Sequence, residues 1–384
     1  MTTGAGASTA CVGCLRRSWL LAALAPNLDR VWKQRRPLRD VLALDDEPLI
    51  EALGGNGRGA LLARHRGFDD GAARRACERA GVEPVCVHHP PFPAMLRTGP
   101  GAPRLLHVAG GLERLERLVP SAGPSPAPTA PEVAVAIVGA RRASPEGLEM
   151  ARALGAGLAR AGVTVISGMA LGIDSAAHAG ALEGGGRTVA VLAGAAEIAY
   201  PRSKAPLHRE ILSRACAVSE LPPGFEPFRW CFPARNRIIA GLAQLTVVVE
   251  AAERSGSLIT ADFASVLGRE VAAVPGRALS PRTRGGNRLL QDGAAVILGV
   301  DDVLDAVLGH DRAPEPARPG GPRGAGIDPA LAALLDAVAS GTDTVAALAR
   351  TPAEADAALL GLAELEGHGL VRRAGGGRYV AVAR

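Results

Sequence analysis

The sequence predicts an α/β chain in three parts: a helical N-terminal piece, a central domain built on a parallel sheet, and a small C-terminal module. Three observations predict it. Short β-branched runs alternate with helix-length segments through the middle of the 384 residues. Proline-rich stretches interrupt the chain on either side of that middle, and the last segment follows three short helical patterns with two strand-like runs separated by glycines.

Residues 1–119 mix short helical patterns such as SWLLAALA with glycine-rich breaks such as GGNGRG, then carry HHPPFPAML and a strand-like run at Leu105–Val108. They are expected to form an N-terminal helical domain with a short strand-containing lead-in. Pro120, Pro124, Pro126, Pro128 and Pro131 stand among Ser, Ala and Gly, the composition of a semi-rigid linker. The central domain, 120–308, runs VAVAIV, a helix near 146–160, VTVIS, a helix near 173–183 and TVAVLA, with LTVVVEA and EVAAV later beside further helical segments. Short apolar strands joined by helices of this length imply parallel pairing, because right-handed crossovers place the helices on both faces. This is a Rossmann-like pattern. A second linker is expected over 309–327, where Pro, Gly and Arg displace apolar residues. Residues 328–384 read as PALAALLDAVA, VAALA and PAEADAALLGLAELEGHG, then LVRRAGGGRYVAVA turning at Gly375, Gly376 and Gly377, which is the pattern of a winged helix. Its last helix, near 352–367, carries Glu354, Asp356, Glu364 and Glu366 and no arginine, while Arg372, Arg373 and Arg378 make the wing the cationic face.

Composition narrows the function classes. With 48% hydrophobic and 21% charged residues the chain can bury a sizeable core. Its apolar runs are broken well short of the ~20 residues that a membrane helix needs, and no basic-then-apolar leader opens it. A cytoplasmic chain without a membrane partner is expected. The formal charge of +5 leans toward polyanions. Only Lys33 and Lys204 among 43 basic residues are lysine, so arginine abundance alone says little and each arginine needs an argument from position. Cys11, Cys14, Cys77, Cys86, Cys216 and Cys231 are too scattered for a disulfide framework. Cys11 and Cys14 form a lone CxxC, half of a zinc site, and Cys77, Cys86, His88 and His89 follow at no standard spacing; ordinary reduced thiols and no metal are expected.

The segments that could carry chemistry fall after the strands. IVGARRAS, Ile137–Ser144, places Gly139, Arg141 and Arg142 between the first strand and a helix beginning near Pro145, whose unpaired amides suit an anion. The dinucleotide fingerprint GxGxxG is absent, so no NAD or FAD is expected. SGMALGIDSAAHAGAL, Ser167–Leu182, repeats the design with Gly168 and Gly172, and offers Asp174 as a cap near His178. Ser167, Asp174 and His178 make a poor hydrolytic triad, since Asp174 and His178 are one helical turn apart and no GxSxG elbow holds the serine. YPRSK supplies Arg202 and Lys204 in a proline-set turn. FPARNRIIAGLA, Phe232–Ala243, sets Arg235, Asn236 and Arg237 at the expected mouth of a helix, where two cations and free amides could converge on one anion. SGSLITA adds Ser255, Gly256 and Ser257 after LTVVVEA. In an open α/β sheet such loops share the edge at the strands' carboxyl ends. Phe225, Phe228, Trp230 and Phe232 stand just before Arg235, and interleaved rings and cations suit a single-stranded nucleic acid, although any one ring could equally be core.

IVGARRASPEG, SGMALGIDSAAHAGAL, YPRSK, FPARNRIIAGLA, SGSLITA, AVPG and GGNRLLQDGA stand in an order and spacing that resembles the DNA-processing protein A family (DprA, also called Smf), closely over about 85–300. The flanking pieces look like that family's helical (SAM-like) N-terminal domain and its optional C-terminal winged helix. The resemblance implies a non-enzymatic, dimeric protein without cofactors. It would bind single-stranded DNA in a basic pocket and load the recombinase RecA during natural transformation, displacing single-strand-binding protein. Carried over by motif, the contacts fall on Arg141, Arg142, Gly168, Arg202, Lys204, Arg235, Asn236 and Arg237, with Gly139, Phe232, Ser255, Gly256 and Ser257 beside them. The chain departs from the family pattern at GAR for GSR, at Arg202 for a lysine, at Ala234 for an arginine, and at AGAAEIA for a GTGLD-like turn. The rival is a Rossmann-like nucleotide hydrolase of the nucleoside monophosphate phosphoribohydrolase type. It would need a glutamate near PGGxGT, but AVPG is followed by Arg277, and Glu250 and Glu253 are the nearest carboxylates to SGSLITA. A plain winged-helix regulator would leave most of the chain unexplained.

Overall fold

The computed structural model describes residues 9–99, 101–119, 132–309, 328–374 and 377–381. The proline-rich stretch 120–131, linker residues 310–327 and the turn glycines Gly375 and Gly376 lie outside the described residues. The chain divides into two compact units, 1–310 and 311–384.

The first unit opens with six helices, α1 (Val12–Ala23), α2 (Ala25–Lys33), α3 (Leu38–Ala43), α4 (Asp46–Leu53), α5 (Arg58–Arg66) and α6 (Asp70–Ala80). Strands β1 (Val82–Cys86) and β2 (Leu105–Ala109) and helix α7 (Leu112–Leu118) follow. Alternation then sets in with β3 (Ala134–Val138), α8 (Pro145–Arg160), β4 (Thr164–Ser167), α9 (Ile173–Glu183), β5 (Thr188–Val191), α10 (Ala205–Arg214) and β6 (Cys216–Ser219). It continues through α11 (Cys231–Leu242), β7 (Leu245–Val248), α12 (Gly256–Val266), β8 (Glu270–Ala273), α13 (Arg284–Gln291), β9 (Ala295–Val296) and α14 (Val300–Leu308).

All nine strands form one sheet in the order β1-β2-β6-β5-β4-β3-β7-β8-β9. From β6 to β9 every neighbour is parallel, with Val135 of β3 opposite Val165 of β4 and Leu245 of β7. The expected parallel α/β core is present. Alternate residues of β3 serve opposite faces, as a period of two requires. Val135 and Ile137 pack with Leu154, Leu158 and Ala177 of α8 and α9, whereas Ala134, Ala136 and Val138 pack with Ile238, Ile239 and Leu242 of α11.

The expected boundary at residues 119 and 120 does not divide the structure. β1 and β2 pair antiparallel, and β2 pairs antiparallel with β6, His107 opposite Ser219, so the lead-in covers what would be an exposed sheet edge. The N-terminal helices share a core with α11, where Leu20, Leu28 and Ile50 pack with Trp230, Cys231 and Ala234. Among the described residues no helix is long and apolar enough to cross a membrane.

The second unit contains α15 (Pro329–Ala339), α16 (Val345–Leu348) and α17 (Pro352–Gly367), then β10 (Val371–Ala374) paired antiparallel with β11 (Arg378–Ala381). Thr351 and Glu354 form a reciprocal cap at the start of α17. Leu331, Leu335, Leu362, Leu365 and Tyr379 form a small core of their own. The elements are those expected from sequence, in the expected order.

Candidate functional site

From β3 the chain winds outward through β4, β5 and β6, then returns to place β7 on β3's other side. The loops leaving β3 and β7 therefore part, and the crevice between them is where an open α/β sheet binds ligands. A cavity of about 970 Å³ opens there. Gly139–Arg142 after β3, Ala170 and Asp174 after β4, Tyr200 after β5, and Ala252, Arg254, Ser255, Gly256, Ser257, Ile259 and Thr260 after β7 line it, together with Phe232, Pro233, Arg235, Asn236 and Ile239 of α11.

Its charge is one-sided. Arg141, Arg142, Arg229, Arg254 and Arg282 line it and are exposed. Among the described residues none of these five pairs with a carboxylate. Asp174 is the one acidic residue of the lining, and it is buried. The Arg141 guanidinium lies 5.2 Å from the centre of the Phe232 ring, and that ring tilts against Tyr200 at 5.3 Å between centroids. Tyr200 is 43% exposed, so an aromatic face and a row of cations are offered together.

Arg235 forms the floor. Only 7% exposed, it donates from Nη1 to the carbonyl of Val191 at 2.8 Å. Burial pushes its pKa down to about 10, the Asp174 carboxylate opposing and Arg141 adding to the fall, so it stays charged at neutral pH. Asp174 is pushed upward by its own burial, against Arg235, the amides of Ala170 and Gly168, and Arg141. Gly168 makes room for this group: a Cβ there would lie 1.5 Å from Arg235 Nη1. Gly139 is equally constrained, since a Cβ would fall 2.6 Å from Ile173 Cγ1 and 3.0 Å from the Glu250 carbonyl. Asn236 Nδ2 donates to the Gly256 carbonyl at 3.1 Å, tying α11 to the start of α12. Ser255 caps α12, its Oγ accepting from Ser257 N at 3.4 Å and lying 2.7 Å from Ser257 Oγ.

The structure corrects several expectations. Helix α11 begins at Cys231, so Arg235 and Arg237 sit inside it rather than at its mouth. Two residues apart on a helix do not face one way: Arg237 is buried 5% exposed in an ion pair with Glu220 and lines no part of the cavity. Two amides at the start of α8, those of Ser144 and Gly147, are already occupied. Ser144 caps that helix by accepting from Gly147 N at 3.1 Å, and Glu250 accepts from Ser144 Oγ at 2.6 Å and from Ser144 N at 3.2 Å. An internal carboxylate thus stands where an external anion was expected. Arg202 and Lys204 form a 3-10 turn leading into α10 and stay outside the lining; Arg202 is exposed with Glu226 at 3.8 Å, and Tyr200 is the residue that reaches the cavity. Ser167 Oγ donates to Ile137 O at 2.6 Å and His178 Nδ1 bonds Thr188 Oγ1 at 2.7 Å, so neither belongs to a triad. Asp174 bonds the loop amide of Ala170 at 3.3 Å, and Gly172 holds the position before α9. Trp230 is core at 1% exposure, and Phe225 and Phe228 pack together at 6.1 Å.

Reasoning from motifs missed Arg229, Arg254, Arg282, Tyr200 and Trp32 of the lining. Arg229 lay within the aromatic cluster and Arg254 immediately before SGSLITA, so both had a signal in position; Trp32 arrives from α2 and had none. A second cavity of about 550 Å³ shares Trp32, Pro233 and Ile259 with the first and adds Arg35, Arg36 and Arg39. The CxxC is not alone in the fold: Cys11, Cys14, Cys86 and His88, which follow no standard spacing in sequence, come together.

The model of the family described as DNA recombination-mediator protein A matches residues 83–308. A DprA protein of Mycobacterium tuberculosis is 46% identical over 189 residues, 49% of this chain and 48% of that protein. DNA processing protein DprA of Streptococcus pneumoniae is 42% identical over 170 residues, 44% of this chain and 60% of that protein. The X-ray structure of the Streptococcus pneumoniae DprA superposes with a TM-score of 0.59 and 30% identity, covering 77% of this chain and 96% of that one. The matched region spans about half the length of the curated relatives.

Proposed function

Because the chain belongs to the DNA recombination-mediator protein A family, we propose that it grips single-stranded DNA in the arginine-lined cavity and works as a DNA-processing mediator without making or breaking a bond. The carrying observation is the cavity itself, which sets five exposed arginines, none paired with a carboxylate among the described residues, around an aromatic pair at the sheet's switch point. Phosphates meet Arg141, Arg142, Arg229, Arg254 and Arg282, and bases stack on Phe232 and Tyr200. Arg235 contributes charge from below, while Gly139, Gly168, Asn236, Ser255, Gly256 and Ser257 shape the walls. The arginines of the second cavity extend the track toward the N-terminal helices. RecA and single-strand-binding protein are the protein partners we assign, with a homodimer as the working form, and the C-terminal unit is read as a winged helix. The test is a gel shift with matched single and double strands; equal binding of both, or binding of neither, overturns the proposal.

The hydrolase reading has little to work with. Glu250 is committed to Ser144, Asp174 is buried beside Arg235, and Glu253, although exposed, does not line the cavity. A general base needs an available carboxylate within reach of its substrate. Incubation with a panel of nucleoside monophosphates is expected to release no free base.

A further inference from the structure

Cys11 is the residue before α1, Cys14 lies in its first turn, Cys86 ends β1, and His88 follows two positions on. One ligand atom from each lies within 4.8 Å of every other. His88 Nδ1 is 3.4 Å from Cys11 Sγ, 3.5 Å from Cys14 Sγ and 3.7 Å from Cys86 Sγ. Tetrahedral zinc, with Zn–S near 2.3 Å and Zn–N near 2.0–2.1 Å, sets sulfur and nitrogen ligands about 3.5 Å apart. The observed separations match that spacing. We propose that Cys11, Cys14, Cys86 and His88 bind one zinc ion as a closed structural site.

Hydrogen bonding to His88 alone does not account for the cluster. Nδ1 carries at most one proton or one acceptor lone pair, so three sulfurs cannot all be satisfied by it. A Cys11–Cys14 disulfide would leave Cys86 and His88 converging on nothing. A tetrahedral cation uses all four at once. The surrounding backbone holds the ligands in place: Cys11 N donates to Cys86 Sγ at 3.4 Å, Cys86 N to Thr9 O at 3.0 Å, and Thr9 Oγ1 to Pro84 O at 2.6 Å.

Four protein ligands leave no open position, which is the mark of a structural rather than catalytic zinc. The ion would join residues 75 apart in sequence, fastening α1 to the edge strand of the sheet. The apolar cluster at this junction is small: Ala10, Cys14, Leu15, Cys86 and Leu105. Metal binding supplies there the stabilisation that so little buried surface cannot. The proposal is independent of the DNA reading.

The test is metal analysis of the untagged full-length chain after reconstitution with zinc under reducing conditions and desalting. One zinc per chain is expected, and cobalt in its place should show the thiolate charge-transfer and tetrahedral d–d bands. His88→Ala alters an exposed ligand and should weaken zinc by more than the roughly 10–100-fold that outer-shell changes cost. Cys77→Ser, at a buried thiol outside the cluster, should leave the metal content unchanged. Because Cys86→Ser could fail to fold, the cobalt spectrum of the unaltered chain carries the decision. Absence of stoichiometric metal, octahedral cobalt bands, or unchanged affinity in His88→Ala overturns the assignment.

Discussion

Arg141 and Arg254 can be separated from Arg237 by the salt dependence of binding. Five exposed arginines line the main cavity. If each neutralises one phosphate of a single strand, the slope of log affinity against log salt is about −3.5, from roughly −0.7 per contact. Affinity then falls about 100-fold between about 50 and 200 mM salt. Arg141→Ala with Arg254→Ala leaves three contacts and a slope near −2, so the same rise in salt costs only about 20-fold. Arg237→Ala behaves differently, because its guanidinium belongs to Glu220 beneath the surface. It should keep the full slope while losing on the order of 3–5 kcal/mol of stability, since one charge of a buried pair is left uncompensated. For a unit of this size that is roughly a 5–8 °C fall in Tm. Fluorescence anisotropy of a labelled oligothymidylate, titrated at several salt concentrations, reads the slopes, and thermal unfolding reads the stability. The reasoning fails if the double variant keeps the slope of the unaltered chain, or if Arg237→Ala flattens it as much.

Gly168→Ala should displace the Arg235 guanidinium, costing about 1–3 kcal/mol in overpacking and a further 1.5–3 in the lost bond to Val191; calorimetry checks the fall, and an unchanged Tm would contradict the 1.5 Å approach. Glu250→Ala removes the carboxylate bonded to Ser144, and unfolding should show a loss of about 2–3 kcal/mol. Acid should destabilise the first unit through its buried histidines: burial lowers His178 to about 3 and His107 to about 4, with weaker opposition from backbone bonds. A depressed folded pKa means that the unfolded chain binds the extra proton. Stability is therefore complete above the ordinary value near 6.5 and declines toward pH 4 by up to about 1.4 kcal/mol per pH unit per histidine. His107→Gln should make that decline shallower in a series of unfolding curves.

The short, near-continuously apolar runs at Val133–Val138, Val163–Ser167 and Leu245–Val248, with helix-length spacers between them, left little choice but a parallel sheet covered on both faces, and so put Arg141, Asn236 and Ser255 near one edge. These are local signals, written into neighbouring residues by strand and helix periods. The same helical period also places Arg235 and Arg237 on different sides, although only the coordinates reveal that Glu220 waits for the second. Other features have no local signature. Glu250 reaches Ser144 across 106 positions, β1 and β2 add to the sheet by pairing with β6, Trp32 enters the cavity from α2, and Cys86 and His88 meet Cys11 and Cys14 across more than seventy residues. Which loops and side chains meet depends on strand order and on the packing of distant elements. The energy of those contacts is realised only when the whole unit closes, so no stretch of sequence short enough to carry a motif contains it.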